Sequence, residues 1–241
     1  MNEYIMAWDI AQKRDFTTGI VVKRSTEIIP GSDILKSPDR SKVYADIVAI
    51  DKFNNVPYTQ VADIIENRMG HVDLRNSCDL LVDGTGIGAA VVDLLREKGL
   101  NPNPIVFTGG GQVREVTAPF GTVFKNSPGQ LSPLKIIREL HVPKNDLSAA
   151  GKILMEQDRV SVVPGLRWGE DFKTQMLAFR GKVNERTGRK KYEAETEGDH
   201  DDMVVTYLMI AWWILRGGTK SEERILPAAQ DEAEWSPADH Y

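Results

Sequence analysis

Residues 78–88 read CDLLVDGTGIG. The run Cys78–Asp83 reads as a buried strand whose end is marked by Gly84, and Ala89–Lys98 as an amphipathic helix closed by Gly99. Two uses of such a unit compete. Its glycines satisfy G-x-G-x-x-A between strand and helix, the spacing with which dinucleotide-binding proteins receive a pyrophosphate. Against this, Asp83 would set a carboxylate beside that pyrophosphate, and the next strand, Pro104–Phe107, ends without the acid that holds a ribose. The other use keeps Asp83 as a functional acid on a strand end, and the flanking sequence bears on it.

Upstream, Tyr4–Asp9 is a short apolar run also closed by an aspartate, and the β-branched run Thr17–Arg24 pairs with it through the turn AQKRD. Val43–Ile50 is a third strand. In Thr59–Arg68, Val61, Ile64 and Ile65 recur at helical spacing. The first half is thus β-β-β-α-β-α-β. Downstream, Pro133–Leu140 and Ala149–Gln157 read as helices, Arg159–Val163 as a strand and Phe172–Phe179 as an amphipathic segment. The polar turn Asn184–Arg189 separates two extended flanks, as in a β-hairpin. A last helix runs from His200 to Leu215 with Asp199 as its cap, ends at Gly217–Gly218, and places Trp212 and Trp213 between core and surface. Residues 1–217 then form one α/β domain, a mixed sheet flanked by helices, and residues 218–241 a polar tail.

The composition fits that plan. At 241 residues, 41% hydrophobic and 27% charged, the chain can bury a sizeable core. Its single cysteine, Cys78, excludes an internal disulfide and a thiolate metal cage. The start MNEYIMAWDI is too acidic for a signal peptide, and no apolar run is long enough to span a bilayer. A net charge of −5 argues against coating nucleic acid, but the charge is unevenly spread. Bases gather at Lys13–Arg14, at Lys23–Arg24 and in FRGKVNERTGRKKY, where Arg186, Arg189, Lys190 and Lys191 surround the hairpin turn, which is equally readable as a contact to phosphates flanking the cut and as a solvated basic turn.

The acids decide the chemistry. GDHDDMVV, residues 198–205, sets Asp199, Asp201 and Asp202 beside His200 at the start of an apolar helix. Helix capping accounts for one or two of these carboxylates but not easily for a third. If the first and fourth strands are neighbours, Asp9 and Asp83 stand side by side, and the final helix can bring its N-terminal acids to the same point. Such a cluster is costly unless a hard, oxygen-liganded cation neutralises it, which predicts a magnesium or manganese site. Asp15, Asp46, Asp51, Asp63 and Asp93 fall on turns or polar faces.

Taken together, AWDIAQKRDFTTGIVV, LLVDGTGIGAAVVDLL and GDHDDMVVTYLMIAWW, in this order of elements, resemble the nuclease domain of bacteriophage terminase large subunits, which has the ribonuclease H-like fold. The resemblance covers the chain to about residue 217. It implies a metal-dependent endonuclease that cuts double-stranded DNA during genome packaging in the cytoplasm of the bacterial host, alongside a packaging ATPase, a small terminase and a portal. It also implies that Asp9, Asp83 and the doublet Asp201–Asp202 bind two Mg²⁺ or Mn²⁺ ions, with Asp9, Asp83 and Asp202 catalytic. No G-x-x-x-x-G-K-[ST] is present, so a motor would reside elsewhere. Other ribonuclease H-like nucleases, of the resolvase or transposase type, share these features.

Overall fold

The computed structural model describes residues 3–11, 15–28, 41–120, 135–183, 190–194 and 201–217. Among them the order is β1 (Tyr4–Asp9), β2 (Thr17–Ile28), β3 (Ser41–Phe53), α1 (Tyr58–Met69), β4 (Cys78–Asp83), α2 (Gly88–Glu97), β5 (Asn103–Thr108) and β6 (Arg114–Phe120). There follow β7 (Lys135–Pro143), α3 (Lys144–Glu156), β8 (Val160–Val162), α4 (Gly169–Ala178), β9 (Phe179–Val183), β10 (Lys190–Ala194) and α5 (Asp202–Leu215). Eight strands form one mixed sheet in the order β6-β7-β5-β4-β1-β2-β3-β8, while β9 and β10 form a separate antiparallel hairpin just before the last helix. The β-β-β-α-β-α-β beginning is therefore as expected, and so is the pairing of the first and fourth strands, which run parallel.

Side-chain alternation divides the sheet between two cores. Ile5 and Ala7 of β1 join Leu81 of β4 and Ile20 and Val22 of β2 under α3, α4 and α5. Met6, Trp8, Leu80 and Val82 point the other way, onto Val61 and Ile65 of α1 and Val91 and Leu95 of α2. Gly19 lies opposite Trp8, whose ring fills the space a side chain would need: a Cβ there would come within 2.6 Å of the indole.

α5 is the central helix of its layer. All of its residues except Val205 and Leu215 are buried, which is why its sequence is apolar on every side. Trp212 and Trp213 are both buried, so neither serves as surface. The Trp213 indole donates to Asp79 Oδ2 at 3.0 Å, a buried acid that also offsets the buried Arg24 guanidinium. α3 packs close to α5 at Gly151, where a Cβ would lie 2.3 Å from Leu208 and where Tyr207 donates its hydroxyl to the Gly151 carbonyl.

Three elements differ from expectation. The segment expected as a helix over Pro133–Leu140 is instead strand β7, paired in parallel with β5 and antiparallel with β6, a strand the sequence did not suggest. Ile136, Ile137 and Leu140 suit a helical spacing, but Leu140 and Val142 are buried with the period of two that sheet pairing demands. The following helix starts at Lys144, five residues before the expected Ala149, because Pro143 ends the strand. Among the described residues no helix is long and apolar enough to cross a membrane.

Candidate active site

Both strand-end acids lie on the same face of the sheet, for a reason written in the alternation. Asp9 follows Ile5 and Ala7 at steps of two, and Asp83 follows Asp79 and Leu81, so each points toward the layer that contains α5. β1 and β4 are parallel neighbours with Trp8 beside Val82, which sets the two carboxylates next to each other at the carboxyl edge. Thr18 is the partner of Asp9 across β2 and shares its face. Its hydroxyl donates to the Asp202 carbonyl at 3.1 Å and lies 2.6 Å from the Thr206 hydroxyl, which also bonds that carbonyl at 2.9 Å. Two buried threonines thereby fasten the first turn of α5 to the strand beside Asp9.

The carboxylates at that turn are not spent on capping. Asp201 occupies the N-cap position, in place of the expected Asp199, yet it makes no side-chain cap hydrogen bond. The Met203 N–H is instead received by Gln175 Oε1 of α4 at 3.1 Å, so a neighbouring helix supplies the cap. Asp202 is buried and accepts the Phe16 N–H through Oδ2 at 3.3 Å. Nothing in the sequence spacing pointed to Gln175 or Thr18, whose roles exist only through contacts between distant segments.

Three other acids act on Asp9. Burial, followed by the charges of Asp83, Asp202 and Asp201, raises the Asp9 carboxyl well above the usual carboxylate range. Burial raises Asp83 as well, but less freely: Thr85 hydrogen-bonds its ionised form, the Thr85 N–H reaching Oδ1 at 2.7 Å, and Lys144 adds a favourable positive charge. Asp9 and Asp83 share a hydrogen bond that favours the protonated form of Asp9 and the ionised form of Asp83. Among the described residues no three His, Cys, Asp or Glu side chains are already gathered tightly enough to hold an ion. The donor set nevertheless suits a hard divalent cation, because it is made of carboxylate oxygens whose mutual repulsion such a cation would relieve.

The glycine loop braces the acid. The Thr85 N–H is taken by Asp83, and the Thr85 hydroxyl receives the Phe107 N–H at 3.0 Å. Gly86 has φ +58°, and Gly88 lies so close to the Asp83 carbonyl that a Cβ would stand 1.7 Å from its oxygen. The acids set aside on sequence grounds are engaged elsewhere: Asp51 by Arg68, Asp63 by Lys98, Asp93 by Arg96 and Asp46 by the Ser161 hydroxyl, while Asp15 is exposed. Lys23 pairs with Glu3 at the opposite edge of the sheet. His200, Asp199, Lys13, Arg14, Arg186 and Arg189 lie outside the described residues. Lys190 and Lys191 fall on β10 as expected for the hairpin, and their side chains are likewise outside the description.

The large terminase nuclease from thermophilic phage G20c, known from a crystal structure, is similar to this chain over 88% of this chain and 81% of its own, with 16% sequence identity and a TM-score of 0.53. At that identity the likeness establishes the fold, a helix-flanked mixed sheet of the ribonuclease H-like kind. No family model matches the chain, and no curated protein does.

Proposed function

We propose that this protein is a metal-dependent endonuclease that cleaves double-stranded DNA during phage genome packaging. The observation that carries the reading is the meeting of Asp9 with Asp83, Asp201 and Asp202 at one carboxyl edge, where burial and like charge raise the Asp9 carboxyl well above the usual carboxylate range. Maintaining such a cluster costs stability, which is the pattern expected of a functional site. The shared fold adds the precedent of a phage terminase nuclease.

Asp9 feels all three other acids and would be the ligand that both ions share. Asp83, braced by Thr85, and Asp202, held through its own backbone by Thr18 and Thr206, would complete the shells, with Asp201 beside them. Bound Mg²⁺ or Mn²⁺ ions at such a site supply an attacking water of lowered pKa and charge relief at the leaving 3′-oxygen. The protein contributes rigid placement: two adjacent strands and a helix cap donated from α4 set the oxygens relative to one another. By the same reading the substrate is double-stranded DNA, and the partners are a packaging ATPase, a small terminase and a portal in the host cytoplasm, with the hairpin bases Arg186, Arg189, Lys190 and Lys191 on flanking phosphates.

The test is plasmid cleavage by the purified chain with and without Mg²⁺ or Mn²⁺. Asp9→Asn, Asp83→Asn and Asp202→Asn should each abolish cutting without loss of folding, and Asp201→Asn should lower the rate less. Undiminished cutting by both Asp201→Asn and Asp202→Asn would reduce that doublet to a structural helix start. DNA left intact under all metal conditions, together with tight NAD binding, would return the glycine loop to the dinucleotide reading.

A further inference from the structure

The acidic centre is flanked on both sides, along one edge of the sheet, by cations that the sequence reading did not single out. Asp9, Thr18 and Lys52 are successive partners across β1, β2 and β3 and therefore share a row and a face. The Lys52 ammonium lies 4.6 Å from the centre of the Phe16 ring and 5.1 Å from that of Trp168, and it pairs with Asp171 at 3.2 Å. Phe16 is also the residue whose N–H holds Asp202. The Arg167 guanidinium stacks on the same Trp168 indole, again at 5.1 Å. Trp168 takes a left-handed backbone, φ 67°, to begin α4, a conformation that a bulky residue keeps only where its surroundings impose it.

On the other side, β7 delivers Lys144 to the same edge. Asp83 is level with Ile105 on β5, and Pro143 is level with Thr108, three residues further on, so Pro143 lies about 10 Å beyond the acid along the strand direction and Lys144 follows it. It is exposed, and its charge favours the ionised form of Asp83. Ion pairs hold many described cations, as Asp63 and Glu66 hold Lys98. Neither Lys144 nor Arg167 forms an ion pair with another described residue.

We infer that the phosphate backbone of the substrate crosses the carboxyl edge of the sheet from Lys144 to Arg167, with the four acids between these two anchors. The inference rests on the nuclease reading and adds the path of the DNA to it. Five strand steps separate β7 from β3 in the sheet, a span of about 24 Å, which corresponds to roughly seven base pairs of duplex at 3.4 Å each. Phosphates need positive charge at the ends of such a path, because at its centre the carboxylates repel them until cations are bound. Arg167 suits the part: stacking on Trp168 orders the guanidinium before DNA arrives, so less side-chain freedom is lost on contact. Lys144 supplies a point charge at the start of α3, where the helix N-terminus adds to the attraction.

The measurement is fluorescence anisotropy of a short labelled DNA duplex in Ca²⁺ buffer, titrated at several salt concentrations, with plasmid cleavage run in parallel. Lys144→Gln and Arg167→Gln should each weaken binding and lower the salt slope by about 0.9, and the double variant by about 1.8. Lys23→Gln, at the far edge of the sheet, should change neither. If both single variants bind with wild-type affinity and slope while plasmid is still cut, the DNA takes another path: this inference fails and the nuclease reading stands. Loss of binding in the variants of a protein that never cuts DNA would uphold the path and overturn the nuclease reading. A wild-type protein that neither binds nor cuts duplex DNA overturns both.

Discussion

Gly88→Ala examines the link between fold and site through one methyl group. The added Cβ would stand 1.7 Å from the Asp83 carbonyl oxygen and 2.9 Å from its carbonyl carbon, both main-chain atoms that no rotamer change can move aside. A relaxed carbon–oxygen contact needs about 3.2 Å, so the start of α2 and the end of β4 must separate by about 1.5 Å, and overpacking of this kind costs up to ~3 kcal/mol. Alanine returns about 1 kcal/mol of helix propensity, leaving a net loss near 2 kcal/mol. For a chain of this size that lowers the melting temperature by about 4–8 °C. The larger effect is expected in cleavage, since a displacement of this size at Asp83 costs about a hundredfold in rate. Thermal melts and Mn²⁺-dependent plasmid cutting measure the two effects separately. Gly109→Ala is the control: nothing lies within 4 Å of its Cβ, and its stability should stay within about 0.5 kcal/mol of wild type. A Gly88→Ala protein that melts at or above the wild-type temperature and cuts at the wild-type rate refutes the reasoning.

Further outcomes follow from the same contacts. Asp9 has its folded-state pKa raised, so without metal its contribution to stability is fully present below the unfolded carboxylate value and is lost as pH rises through the folded one. Metal-free melts should therefore rise on acidification from neutral pH, and Asp9→Asn should flatten that dependence. Millimolar Mg²⁺ or Mn²⁺ should raise the wild-type melting temperature and shift Asp9→Asn much less, which differential scanning fluorimetry reads directly. Gln175→Ala removes the cap on the Met203 N–H and should cost about 1 kcal/mol in a denaturant titration, with a loss of cutting as the first turn of α5 loosens. Trp213→Phe leaves Asp79 Oδ2 without its indole donor and should cost about 1–3 kcal/mol, far from the acids and with cleavage intact.

The sequence by itself determined the elements of the first half and the identity of the acids. The short, continuous apolar runs in Tyr4–Asp9 and Cys78–Asp83 specify buried strands whose last residue must share a face with Ile5 or Leu81, because side chains in a strand have a period of two. The unbroken apolar run of the last helix likewise specified its burial. Local pattern went wrong where a short segment satisfied two periods at once: Lys135–Pro143 became β7 because β5 offered a parallel partner and β6 an antiparallel one, and pairing of that kind leaves no trace in the segment itself. The position of the cap was equally illegible. Asp199 looked sufficient, yet the Met203 N–H goes to Gln175, which α4 brings alongside from 28 residues away. Thr18 and Lys52 acquired their places beside Asp9 through antiparallel register, while Lys144 and Arg167 were brought to the same edge by β7 and β8, strands that follow one another in the chain and lie on opposite sides of the sheet. Residue type and periodicity are local properties and survive in the sequence; which oxygens, N–H groups and charges share a few ångströms depends on register and packing between distant segments, and only the tertiary structure decided that.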